Sequence, residues 1–122
     1  MEWTKDDYRI STNKEMINIP YVHEFLRHSY WAENIPLHVV QRSIKGSLCF
    51  AVFYRDEQIG FARVITDEAT FAYLADVFID ANFRGRGLSK WLMEVILAHP
   101  GLQGLRRFLL ATKDAHGLYR QY

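Results

Sequence analysis

Between Phe71 and His99 the chain reads FAYLADVFID, ANF, RGRGLS and KWLMEVILAH, and no other stretch restricts the possible folds as tightly. In Phe71 to Ile79 an extended backbone puts Phe71, Tyr73, Ala75, Val77 and Ile79 on one face and Ala72, Leu74, Asp76 and Phe78 on the other. Both faces are apolar except at Asp76, which is the pattern of a strand covered on both sides. Past the glycines the period changes: Leu88, Trp91, Leu92, Val95 and Ile96 follow the i, i+3, i+4, i+7, i+8 rule of a helix with one buried stripe. A strand, a basic glycine turn and a helix together make the plan of an anion site. Gly85 and Gly87 can take backbone conformations closed to residues with a Cβ, and the unpaired N–H groups of the helix's first turn then point outward together. Those groups carry the positive end of the helix dipole, and Arg84, Arg86 and Lys90 add full charges around it.

The 122 residues are 49% hydrophobic and include 8 Phe, 7 Tyr and 3 Trp, enough for one core of ordinary size and hardly for two. A single domain over 1–122 is therefore expected. A net charge of +1 supplies no global field for nucleic acid or an anionic membrane, so anion binding has to be local. The single cysteine, Cys49, sits in an apolar run, which excludes an intrachain disulfide and fits a reducing compartment. No apolar run reaches about 18 residues, and MEWTKDDYR is too charged for a signal peptide. The expectation is a soluble, cytoplasmic protein without a membrane or nucleic-acid partner. His23, His28, His38, His99 and His116 show no metal spacing, so no metal is implied.

Tyr8 to Ser11 reads as a first strand after a loose MEWTKDD segment. Asn18-Ile19-Pro20 and Asn34-Ile35-Pro36 each set an Asn cap and an early proline before a helical pattern. Val22, Phe25, Leu26 and Ser29 face one helix; Leu37, Val40 and Ile44 face the next, which Gly46 can end. The connector His28-Ser29-Tyr30-Trp31-Ala32-Glu33 is aromatic and reads either as a binding wall or as two rings plugging the helix corner. From Leu48 the period is two, and LCFAVFY, IGFARVIT and FAYLADVFI joined by RDEQ and DEAT form an antiparallel meander. Arg106 to Thr112 follows a strand and helix crossover and is expected to run parallel to Phe71–Ile79. KDAHGLYRQY then starts a last helix with Asp114 as its cap.

The glycine turn fits neither a Walker loop, since no Lys-Ser/Thr follows Gly87, nor a dinucleotide fingerprint, since Lys90 stands at the third glycine and a hairpin series precedes it. A pyrophosphate cradle after the third strand of the meander remains, beside the plainer reading of a structural turn. Arg84-Gly85-Arg86-Gly87-Leu88-Ser89 resembles the acetyl-coenzyme A motif Gln/Arg-x-x-Gly-x-Gly/Ala of the GCN5-related N-acetyltransferases, with small Ser89 at the last position. The order of elements resembles that family over nearly the whole chain. Ala115-His116-Gly117-Leu118-Tyr119 is similar to its Ala-x-x-x-Tyr run.

The resemblance implies an α/β (α+β) fold with a mixed, mostly antiparallel sheet flanked by helices. It also implies acetyl-CoA as co-substrate and acetyl transfer to an amine, on a small molecule or a peptide, in a ternary complex. It places backbone groups of Val77, Phe78 and Ile79 along the pantetheine arm, the 84–89 turn on the pyrophosphate and Tyr119 at the departing thiolate. Asp76 reads as a proton acceptor, or alternatively as a structural partner of Arg63; Tyr119 reads alternatively as a packing residue. Tyr30 and Trp31, with the loop Asp67-Glu68, are candidate acceptor contacts. In the family a Gly-Phe and closing strands would follow Tyr122, so a C-terminal shortening or a homodimer covering the open edge is expected. A coenzyme A-binding module without turnover and a phosphate-binding structural domain are the competing readings.

Overall fold

Residues 1–110 are described by the computed structural model. Their order is β1 (Glu2–Lys5), β2 (Tyr8–Ser11), α1 (Ile19–Arg27), α2 (Leu37–Lys45), β3 (Leu48–Tyr54), β4 (Glu57–Thr66), β5 (Phe71–Ile79), α3 (Leu88–Ala98) and β6 (Arg107–Leu110). The six strands form one sheet in sequence order. Neighbours from β1 to β5 are antiparallel, while β6 runs parallel to β5. This is the expected α/β architecture with a mixed, mostly antiparallel sheet. The expected last helix after Lys113 lies outside the described residues.

The expected loose N-terminus is instead β1, which pairs from Glu2 with Ser11 to Lys5 with Tyr8. Its side chains give little apolar signal, with only Trp3 half-buried, so main-chain pairing holds it more than burial. The two helix starts also differ. Asn18 Oδ1 accepts from the Tyr21 N–H at 3.1 Å and caps α1. Asn34 caps nothing; it adopts a left-handed conformation (φ 61) in the connector, which Asn tolerates, and Pro36 precedes α2 without a side-chain cap.

The helices divide over the two sheet faces. Leu88, Leu92, Met93 and Ile96 of α3 bury against Phe50, Val52, Ala62, Val64 and Leu74 on one face. Val22, Leu26, Val40 and Ile44 of α1 and α2 bury against Cys49, Ala51, Phe61 and Phe78 on the other. Cys49 has no solvent exposure, and burial pushes its thiol up to about 11. Among the described residues no helix is long and apolar enough to cross a membrane.

The strict alternation expected along β5 breaks in the middle. Phe61 opposes Phe78 and Arg63 opposes Ala75, so Ala62 faces both Asp76 and Val77. Asp76 is the extra residue of this β-bulge and takes φ 45. Ala72 and Leu74 before it and Val77 and Ile79 after it therefore share the α3 side, while Phe78 joins the α1/α2 core.

Gly60 lies beside this region, where a Cβ would sit 2.7 Å from Ile79 Cδ1, 2.9 Å from the Phe78 carbonyl oxygen and 3.2 Å from Val52 Cβ. Gly60→Ala is expected to destabilise the fold by about 1–3 kcal/mol through overpacking. Urea unfolding reads this as a lower midpoint, and an unchanged midpoint would show that the neighbouring strands yield freely.

Candidate functional site

At the C-terminal end of β5 the chain turns through Ala81–Phe83, a single 3-10 turn closed by Asp80, whose Oδ1 accepts from the Asn82 N–H at 3.0 Å. Arg84 Nε donates to the Ile79 carbonyl at 3.1 Å, fixing the turn against the strand that precedes it. Gly85 (φ 78) and Gly87 (φ 77) are both left-handed, conformations that cost a residue with a Cβ. Gly87 is the N-cap of α3 and offers no side-chain cap, so the N–H groups of the first turn keep their capacity for a ligand. A Cβ at either glycine would meet no atom within 4 Å; both positions face open space. The cavity there, of about 220 Å³, is lined by Ile79, Arg84, Gly85, Gly87, Leu88 and Ser89 of the expected binding set, together with Lys90.

Arg86, Val77 and Phe78 do not line this cavity. Arg86 Nη1 donates to the Tyr8 hydroxyl at 3.0 Å and its guanidinium lies 5.1 Å from the centre of the Phe83 ring, so its charge is turned toward β2. Val77 packs on the α3 side and Phe78 in the opposite core. The recorded pairs of β6 with β5 run from Phe71 with Arg107 to Leu74 with Leu110; Val77 to Ile79 lie beyond them. The cradle fits an anionic group: it has open glycine positions, uncapped helix N–H groups, the Ser89 hydroxyl and the Lys90 ammonium around one concavity.

Asp76 organises the other side of the strand. Its Oδ2 accepts from Arg63 Nε at 2.7 Å and its Oδ1 from Trp31 Nε1 at 2.9 Å, while Arg63 Nη1 donates to Ser47 Oγ at 3.1 Å. The side chains of Arg63 and Asp76 are 16% and 9% exposed, so this is a shielded pair. The pairing that the sequence left as an alternative is thus the observed one, and both carboxylate oxygens are engaged. Trp31 is held by this bond, whereas Tyr30 is 57% exposed and meets Trp31 edge-on at 5.2 Å.

Two cavities flank Trp31. The first, of about 640 Å³, is walled by Tyr21, Phe25, Tyr30 and Trp31 with Glu24 and His28. The second, of about 330 Å³, lies between α2 and β5 and includes Arg63, Tyr73, Ala75 and Asp76. Tyr21 was not singled out from the sequence, and Phe25 was read only as part of the first helix's apolar face. They are four residues apart and so share one helix face, and Phe25 stacks on Phe78 with centroids 3.7 Å apart. Burial, with Asp80 beside it, raises the Tyr21 phenol well above its ordinary range.

The expected acceptor loop Asp67-Glu68 lies at the far end of β5. Asp67 turns its carboxylate onto its own turn, accepting from the N–H groups of Ala69, Thr70 and Phe71 and from the Thr70 hydroxyl; these bonds hold it well below the usual carboxylate range. Neither Asp67 nor Glu68 borders the cavities just described. Tyr119 and the Ala115 run lie outside the described residues.

Comparison with known proteins identifies the family and the fold. The profile of the acetyltransferase (GNAT) family matches residues 5–122. A crystal structure of a candidate GNAT acetyltransferase from Xanthomonas campestris pv. campestris superposes with a TM-score of 0.92 at 54% identity, covering 94% of this chain and 82% of that one. A Gibberella zeae protein named as a candidate acetyltransferase is 29% identical over 96% of this chain and 78% of its own length. A GNAT acetyltransferase from Elizabethkingia anophelis, crystallised with acetyl-CoA bound, shares the fold with a TM-score of 0.72 at 14% identity, covering 97% of this chain and 76% of that one.

Removing one member of the Arg63–Asp76 pair leaves a shielded charge without its partner, which costs about 3–5 kcal/mol in buried pairs. Asp76→Ala is expected to approach the lower figure, and the double variant Arg63→Met, Asp76→Asn, whose Asn tolerates the left-handed backbone and can still accept from Trp31 Nε1, to recover more than half of the loss in urea unfolding. Equal losses in the single and double variants would mean that the pair contributes through packing alone.

Proposed function

Because the chain belongs to the acetyltransferase (GNAT) family, we propose that it transfers an acetyl group from acetyl-CoA to an amine by direct transfer, with donor and acceptor held at the same time. The observation that carries this reading is the glycine cradle at the start of α3, open toward solvent at both glycine positions. Family membership supports acetyl-CoA as the donor; bound, it would supply an acyl group already activated as a thioester.

In this reading the chain's own groups position more than they react. The N–H groups of Leu88, Ser89 and Lys90, with the Ser89 hydroxyl and the Lys90 ammonium, hold the pyrophosphate. Arg84 keeps the turn on the end of β5, and Arg86 braces it from β2. The bulge carries Val77 to Ile79 from the Asp76 region to the cradle, so the backbone expected to meet the pantetheine arm leads directly from one half of the site to the other. Tyr30 and Trp31 stand at the acceptor side. Tyr119 is assigned by resemblance as the proton donor to the leaving thiolate. Asp76, with both oxygens already accepting, serves to place Trp31 rather than to take the acceptor's proton. A single domain over 1–122 is the extent proposed for this activity.

Acetyl-CoA binding followed by calorimetry tests the cradle. Gly87→Val puts a β-branched side chain at φ 77 and into the space an anion would fill, so the Kd is expected to rise at least ~10-fold. Ser89→Ala together with Lys90→Ala, which leaves the backbone conformation free, is expected to weaken binding as well. Unchanged affinity in both folded variants would sink the cradle assignment.

Tyr119→Phe keeps the ring and removes the proton. A fall in kcat of roughly 10²-fold with acetyl-CoA affinity unchanged is the expected result; full activity would reduce Tyr119 to packing.

A further inference from the structure

We propose that the acceptor is a primary amine carried on a flat apolar body, seated in the cavity between Tyr21, Phe25, Tyr30 and Trp31, and that Trp31 sets the length of body admitted. The proposal rests on the acetyl-transfer reading and names the acceptor class for that same site.

Position argues first. The Phe25 ring, on the wall of the cavity, stacks on Phe78 with planes 7° apart, and Phe78 precedes Ile79, a wall of the anion cradle. The cavity therefore lies one ring away from the end of β5, with Phe25 between it and Phe78 and with the Tyr21 hydroxyl on its wall reaching Asp80 Oδ2 at 3.5 Å, next to the cradle's Ile79.

Chemistry argues second. Four aromatic rings wall a space of about 640 Å³, within the range of small-molecule pockets. Flat apolar groups pair with such rings by offset stacking or edge contact. The wall's carboxylate is already engaged, because Glu24 accepts from Arg27 Nε at 3.0 Å and faces His28 Nε2 at 3.0 Å. Asp76 behind Trp31 is matched by Arg63. Glu24 is 61% exposed and already shared with Arg27 and His28, and an ion pair in so solvated a place contributes little, so a diamine has less to gain here than an arylalkylamine of equal reach.

Trp31 gives the size limit. It is the residue common to the linings of both cavities, and its indole N–H is fixed on Asp76 at 2.9 Å. It thus stands as a partition between about 640 Å³ on one side and about 330 Å³ on the other. Trimming it joins the two spaces.

The test is a panel of 2-phenylethylamine, 2-(2-naphthyl)ethylamine and 1,4-diaminobutane, read as thiol release from acetyl-CoA and, separately, as direct calorimetric binding of each amine. The wild-type protein is expected to favour 2-phenylethylamine over 1,4-diaminobutane by roughly 10-fold in kcat/KM. In Trp31→Ala the ratio of naphthyl to phenyl substrate should rise by a similar ~10-fold, chiefly through KM. Trp31→Phe, which keeps a ring but loses the bond to Asp76, should fall between. A preference for the diamine, or a ranking unmoved by Trp31→Ala in a folded protein, overturns the proposal. If acetyl-CoA binds but neither aryl amine releases thiol or binds, the acceptor proposal is overturned while the acetyl-transfer reading stands; if acetyl-CoA itself does not bind, it is that reading which fails.

Discussion

The carboxylate of Asp76 has to be turned toward Arg63, and much of the site follows from that requirement. Continued alternation after Leu74 would send position 76 into the apolar core under α3, where an ionised carboxylate without a partner is costly. One inserted residue in β5 moves it to the opposite face, onto Arg63 and Trp31. The left-handed backbone of Asp76 is tolerable because the ion pair and the indole bond over-determine its position. The same insertion resets the strand, so Val77 and Ile79 fall back into the core under α3 and Phe78 meets Phe25. Electrostatic need at one residue thereby sets the phase of the three that follow.

The fold was largely legible in the sequence because its strongest signals agree with its packing. The three meander strands, the stripe of α3, the parallel β6 and the Asn18 cap all rest on periodicity or on local hydrogen bonding, which short windows contain. β1 was not legible, since its stability comes from pairing with Ser11 through Tyr8 and a strand held by main-chain bonds needs no apolar pattern. Asn34 misled because the same side chain suits a cap and a left-handed turn. The bulge was hidden by composition: residues apolar on both faces, as in β5, show no break when the alternation slips.

The site divides along similar lines. The glycine turn was legible because glycine at 85 and 87 is demanded by backbone geometry. The destination of Arg86 was not, since a guanidinium seventy-eight positions from Tyr8 finds its partner only after β2 and the turn have been brought together. Asp76 showed its charge in the sequence but not its neighbour on the connector, Trp31. Tyr21 and Phe25 carried no motif at all; they matter as a wall only because β5 brings Phe78 beneath them. Local conformation is written in neighbouring residues, and the composition of a pocket is written in the topology.

Cys49 has a practical consequence. Its sulfur is sealed between β3 and α2 and its thiol is held mostly protonated at neutral pH, while reaction with thiol reagents requires an accessible thiolate. Colorimetric detection of released coenzyme A uses such reagents, so in the native state the protein adds little background of its own. When the α1/α2 layer lifts from the sheet the thiol becomes available, and the labelling rate then follows the population of the opened form. A single side chain serves as a silent bystander in a thiol-release assay and as a built-in clock for core opening.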